Sequence, residues 1–417
     1  MPHRPTPSRP AAPVRLAQTV WAPVRRFLQV EAAGGAVLAA AVVVALVWAS
    51  SPWSSSYERL WTTELALGVG GHSIGTDLRH WLDDGLMTLF FFVIGLEIRR
   101  ELTDGHLASV RAAAVPALGA VGGMVVPALA YLAVNAGGEG AHGWGIPMAT
   151  DVAFAVGVLA LLGSRAPTEL KVLLLALAIV DDIGAVVVIA AFYSEGLDLR
   201  WALVALAGLG VVVAARVAGL RIVPAYVVLG TVVWFATWRS GVHATIAGVA
   251  LGLLTPARPQ AGPDGAEAPS VAQRLQDRLH PWTSFVVVPL FALANAGIEL
   301  SADALGDAAT SPVSLGVVVG LVLGKPVGVV AAVLLATRLG LGHLPPGLST
   351  RQVVGLGTLA GIGFTVSLFV AGRAFPDPVL AGQAKVGILA ASLVAAAVGA
   401  AVLWTAGRSE EADPAAP

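Results

Sequence analysis

The chain has 417 residues, 56% of them hydrophobic and 12% charged, with a formal net charge of −1 and no cysteine. A soluble domain carries about 25% charged residues, so the composition excludes an ordinary soluble domain. The lack of thiols excludes disulfides and zinc–thiolate sites, and the near-neutral charge offers no footing for a nucleic-acid partner. The mean hydropathy of +0.80 resides in continuous apolar runs. A transmembrane barrel would alternate apolar and polar residues instead. An all-α polytopic membrane protein remains, because backbone facing lipid must satisfy its own hydrogen bonds.

In chain order, a basic tail (residues 1–32, with Arg4, Arg9, Arg15, Arg25 and Arg26) precedes the first apolar run. A cleaved signal peptide competes for this end, with "WASS" as a cleavage-site lookalike. The basic region is long for a signal peptide, which favours a retained first span. At roughly 20 residues per crossing, the apolar runs predict about twelve helices, near 33–50, 82–101, 112–135, 146–163, 170–193, 201–217, 221–238, 242–256, 281–299, 313–337, 352–373 and 382–405. Between the first two, "ELALGVGGHSIGTDL" alternates around glycines and predicts a small β-hairpin. Residues 257–280, rich in Pro, Gly, Ala and charge, predict an exposed cytoplasmic linker, and 406–417 a cytoplasmic tail. With the N-terminus inside, this count puts 18 basic residues on the inner side and 6 on the outer. The positive-inside rule then places both termini in the cytoplasm.

Four ionisable residues fall deep within these spans. Asp181 and Asp182, in "AIVDDIGAVVVIAAFY", lie near the middle of the fifth, about 16 Å from either end at 1.5 Å per residue. An aspartate there costs about 2.5–3.5 kcal/mol, which points to function rather than structure. Adjacent helical residues diverge by about 100°, so one can face a cavity while the other faces a neighbouring helix. Lys325, in "GLVLGKPVGVV", is the basic residue placed to pair with one of them. Its "GK" is no phosphate-binding loop, because Pro326 replaces the required Ser or Thr. Asp151 lies in "GIPMATDVAFAVG", where Pro147 and the polar pair Thr150–Asp151 interrupt the fourth span. Glycines 355, 357, 361 and 363, with Thr365 beside them, interrupt the eleventh. Two discontinuous helices, one in each half of the chain, point to an inverted-repeat transporter. Asp151 can offset the partial charges of facing helix amino ends. At the end of the second span, "GLEIRREL" gathers Glu97, Arg99, Arg100 and Glu101 into either a solvated helix end or a cation-attracting funnel; Asp83 and Asp84 open the same span at its other end.

These segments together resemble the NhaA family of bacterial sodium/proton antiporters. The resemblance runs from about residue 27 to 405 through "FFFVIGLEIRREL", "MATDVAFAVGVLALLG", "AIVDDIGAVVVIAAFY", "SGVHATIAGV", "HPWTSFVVVPLFALANAGI", "LGKPVGV" and "GIGFTVSLFVA". This family is among those from which the inverted-repeat generalisation was drawn, so that rule gives no independent support. The resemblance implies a transporter rather than an enzyme, working without a cofactor in the bacterial inner membrane as a homodimer joined through the 51–81 hairpin. It implies Na+ or Li+ exchanged for H+, with Na+ at Asp181 and Asp182. Asp182 is then the primary ligand and Asp181 the second carboxylate, paired to Lys325 in the ion-free, inward-facing state. Asp151 and Thr150 fall at the crossing of the broken helices. Glu97, Arg100 and Glu101 belong to a cytoplasmic pH-responsive cluster, and His243 to a pH-affected region; His280 is a further candidate. A packed structural histidine is the plainer reading of His243. "RLQDRLHP" departs from the family pattern, with Gln276 and Asp277 where an acidic residue and a histidine are expected. Residues 112–193 and 313–405 form the expected core bundle of an antiporter domain spanning 33–405.

The chemistry behind this expectation is competition. Burial disfavours a bare carboxylate, so a buried aspartate holds either a proton or a cation. Two carboxyl groups exchanging protons for one Na+ would make the exchange electrogenic. Rival classes are a K+/H+ antiporter, an intramembrane aspartyl protease and a cation channel. The protease needs two aspartates facing each other from different helices, which adjacent residues cannot supply. The channel needs a filter or a ring of charges around a multi-subunit pore.

Overall fold

The computed structural model describes residues 32–411 apart from 70–71, 106–108, 195, 221–222, 258–259 and 262–266. The basic tail, the loop between the hairpin strands and parts of the linker lie outside the described residues. The described residues are mostly helical. After α1 (Ala32–Ala49) come the short α2 (Ser54–Trp61) and two antiparallel strands, β1 (Glu64–Val69) and β2 (His72–Asp77), where alternation predicted them. A π turn, Trp81–Leu86, leads into α3 (Met87–Asp104). Then follow α4 (Val110–Asn135), a 3-10 helix (Glu139–Met148), α5 (Val152–Leu161), α6 (Thr168–Phe192), α7 (Leu199–Val217), α8 (Val223–Arg239) and α9 (Thr245–Leu254). The second half holds α10 (Val271–Trp282), α11 (Val288–Asn295), α12 (Ala302–Thr310), α13 (Pro312–Val319), α14 (Lys325–Arg338), α15 (Thr350–Leu359), α16 (Phe364–Ala374) and α17 (Pro378–Glu411).

Among the described residues, six helices are long and apolar enough to cross a membrane, or eight if each of two bent pairs counts as one span. The bent pairs are the interrupted segments read from the sequence. The 3-10 helix and α5 meet at 48°, and α15 and α16 at 44°. Local chemistry sets the other boundaries. Ser109, Ser270, Ser311 and Ser349 accept a backbone amide of the helix that each precedes, as N-cap residues do. Pro289 and Pro326 have no amide hydrogen to give the preceding turn. The chain answers with π turns just before them, at Thr283–Val287 and Gly320–Gly324.

One expectation needs correction. Residues 271–280 are not exposed linker but the first turns of α10, with Ala272, Gln276 and His280 buried. Composition misled here because α10 is amphipathic, and its polar face mimics a linker.

Among the described residues, two large apolar cores and a small third around Leu96 fill the interior. One gathers Phe91, Phe291, Leu321, Phe364 and Phe369; the other gathers Leu170, Leu174, Val329, Leu356 and Leu359. The boundary between them crosses each helix near Asp151, Asp181, Lys325 and the 360–363 break. Helices elsewhere approach closely through small residues. Where α3 crosses α9, a Cβ on Gly95 would lie 2.6 Å from the carbonyl oxygen of Val249, and one on Gly252 equally near that of Phe92. Gly95→Val is expected to cost about 1–3 kcal/mol through overpacking. Thermal unfolding of the detergent-solubilised protein checks it, and an unchanged transition would contradict this crossing.

Candidate ion site

The polar layer is built where two broken helices cross. Each break leaves helix ends whose backbone groups need partners inside the fold. Asp151 serves both amino ends. Its Oδ1 accepts the Phe154 amide at 3.0 Å, capping α5. Its Oδ2 accepts the Thr365 amide at 3.0 Å and the Thr365 hydroxyl at 2.7 Å, at the start of α16. The Asp151 amide in turn donates to the Ile362 carbonyl at 2.6 Å, so one residue bridges the two breaks.

The carboxyl ends are answered by side chains. Ser367 Oγ donates to the Ile146 carbonyl at 2.7 Å, and Lys325 Nζ donates to that of Met148. Thr150 Oγ1 lies 2.9 Å from the Ala360 carbonyl and 2.6 Å from Asp181 Oδ2, so its one hydrogen is shared between the two.

Asp181 and Lys325 are wholly buried and form an ion pair, Nζ to Oδ2, at 2.5 Å. The other carboxylate oxygen, Asp181 Oδ1, has no hydrogen-bond partner among the described residues. Asp182 points elsewhere, as helical geometry requires. It lines a cavity of about 70 Å³ together with Glu97, Asp151, His280, Ser284 and Val366. Among the described residues, no hydrogen bond or ion pair to its carboxylate is found.

The structure thus brings together Asp151, Thr150, Asp181, Asp182 and Lys325, and adds Glu97 and His280 on the cavity wall. It leaves out three others. Arg100 and Glu101 pair with each other at 3.7 Å, off the cavity. His243 contacts the Tyr193 carbonyl at 2.6 Å and does not line the cavity either. Sequence reading noted Thr365 only as a neighbour of glycines and missed Ser367. The signal was present: Thr and Ser in the first turn after a glycine break, where hydroxyls satisfy helix ends.

A polytopic fold with broken helices crossing at buried carboxylates defines a membrane transporter. The family model described as Na+/H+ antiporter 1 matches residues 25–403. Curated relatives include Na(+)/H(+) antiporter NhaA 2 of Sorangium cellulosum, 46% identical over 93% of this chain and 91% of that one. NhaA 3 of Frankia alni is 46% identical over 96% and 92%. NhaA of a Janthinobacterium strain is 44% identical over 93% of each. The chain belongs to the NhaA-type sodium/proton antiporter family.

The buried pair makes a stability prediction. Lys325→Met leaves Asp181 without its counter-charge and is expected to cost about 3–5 kcal/mol. The double variant Lys325→Met with Asp181→Leu should recover most of that loss. Denaturation in detergent checks both, and a single variant as stable as wild type would contradict the pair's role.

Proposed function

We propose that this protein is a pH-dependent, electrogenic Na+ (or Li+)/H+ antiporter that expels sodium in exchange for protons. The observation that carries the reading is Asp182, a carboxylate with no hydrogen bond or ion pair among the described residues, on a cavity wall beside the closed Asp181–Lys325 pair. Charge accounting supports it. Each half-helix amino end contributes roughly half a positive charge, so the two ends at Asp151 together balance its carboxylate. Lys325 balances Asp181. Asp182 has no such counter-charge among the described residues, and a proton or a monovalent cation can supply one.

The exchange follows from this imbalance. With the cavity open to the cytoplasm, Na+ displaces the proton of Asp182. It draws on oxygen ligands nearby, with Thr150, Asp151 and the free Asp181 Oδ1 as candidates. A hard cation favours such oxygens. If Asp181 turns to the ion, Lys325 loses its partner and can release a second proton; alternatively Asp181 itself carries that proton. In either case two protons move against one Na+, and the membrane potential assists sodium export. Rising cytoplasmic pH favours the deprotonated, ion-competent form. Glu97 on the cavity wall and the Arg100–Glu101 pair off it are the proposed pH-responsive residues, and His280 and His243 are the candidate modulators. We further assign twelve spans in an inverted repeat, a core bundle of 112–193 and 313–405, cytoplasmic termini, an inner-membrane location and a dimer through β1 and β2. A K+/H+ antiporter is the runner-up, since the site chemistry alone does not rank the alkali cations.

Proteoliposomes with a preset pH gradient test the proposal. Addition of Na+ or Li+ should collapse the gradient with wild type and not with Asp182→Asn. Wild-type collapse should accelerate under a potential that favours inward proton movement. Full turnover in Asp182→Asn would overturn the assignment of Asp182, and collapse with K+ alone would favour the runner-up.

A further inference from the structure

A second charged cluster lies at the opposite end of α3 from Glu97. Arg373, in the last turn of α16, donates to Asp84 in the π turn that opens α3, Nη2 to Oδ1, at 2.6 Å. The residues are 289 apart in sequence, and their side chains are 17% and 14% exposed. The Asp84 backbone is anchored independently: its carbonyl accepts the Trp234 indole at 2.8 Å and the Thr88 hydroxyl at 2.5 Å. Beside it, Asn295 donates to Asp83 at 2.9 Å, and Arg79 pairs with Glu58 at 3.2 Å.

Between this cluster and the Asp182 cavity stands a plug of rings. Phe369 lies 5.6 Å from Phe91 and 6.2 Å from Phe291 by ring centroid. The Arg373 guanidinium is 5.3 Å from the Phe369 ring. Val366 lines the cavity, and Val366, Phe369 and Arg373 follow at helical spacing along one side of α16. Cavity, plug and ion pair are therefore stacked in that order along one broken helix.

We propose that the Arg373–Asp84 ion pair is the latch of the outer gate, holding the plug shut while the Asp182 cavity faces the cytoplasm. This rests on the antiport reading, because a gate matters only if the site is exposed alternately. Arg373 belongs to a broken helix of the proposed moving bundle, whereas Asp84 is tied to α8 through Trp234. Opening outward must separate the two charges, and closing must rejoin them. The latch is thus a bistable contact remote from the ion.

The chain has no cysteine, so Val366→Cys provides a single reporter behind the plug. Its reaction with a membrane-impermeant thiol reagent is followed from the outer side in right-side-out vesicles, without an ion gradient. Asp84→Asn and Arg373→Gln are each expected to raise that rate roughly tenfold, the effect of a latch loss favouring the open state by about 1.4 kcal/mol. Reaction from the inner side, in inverted vesicles, should fall. Arg373→Lys should stay near the parent rate, and the reversed pair, Asp84→Arg with Arg373→Asp, should return toward it. Unchanged outer reaction in both single variants would overturn the latch. So would equal increases on both sides, which report a loosened fold. Because the assay needs no transport, its failure leaves the exchange measurement untouched, and failure of exchange leaves the gate measurement standing.

Discussion

A charge held at the centre of a membrane protein must be compensated where it stands, and the architecture around the crossing of the broken helices follows from that constraint. Continuous helices would bring no backbone dipoles to the centre. Breaking two of them exposes amino and carboxyl ends there, which demand partners of both signs. Asp151 meets the amino ends; Lys325, Thr150 and Ser367 meet the carbonyls. The Asp181–Lys325 pair closes a further balance within the same layer. Asp182 alone among these acids faces the cavity without a hydrogen bond or ion pair among the described residues, and the proposed exchange rests on that imbalance.

The layer also separates two regions of apolar packing. Apolar packing on either side belongs to largely separate clusters that meet at the polar seam. Close-packed interiors move between discrete arrangements rather than deforming smoothly. A change in the charge of the seam, by proton or cation, is therefore suited to bias a choice between two arrangements. The Phe91–Phe291–Phe369 plug and the Arg373–Asp84 pair stand where one arrangement must be closed.

Much of this was legible in the sequence because the membrane makes polar residues conspicuous. Asp151, Asp181, Asp182 and Lys325 stood out against apolar runs, and adjacency alone required Asp181 and Asp182 to face different surroundings. Pro147 and glycines 355–363 marked the breaks. The glycine alternation in 64–77 marked the strands. The amphipathic α10 was not legible, since its polar face read as linker until His280 and Gln276 proved buried. Nor was the placement of Glu97 on the cavity wall beside Asp182, apart from its neighbours Arg100 and Glu101: the sequence showed one cluster, and only packing separates the side chains. The Arg373–Asp84 contact joins residues 289 apart, a distance over which no periodicity speaks.

The central claim is that one carboxylate holds a proton or a sodium ion but never both. Proton release on Na+ addition measures this directly, using weakly buffered, detergent-solubilised protein titrated across pH for wild type and Asp182→Asn. The account predicts that Na+ binding to wild type expels protons and tightens as pH rises, and that the variant releases none. Sodium binding by wild type without proton release, or with an affinity indifferent to pH, would contradict it.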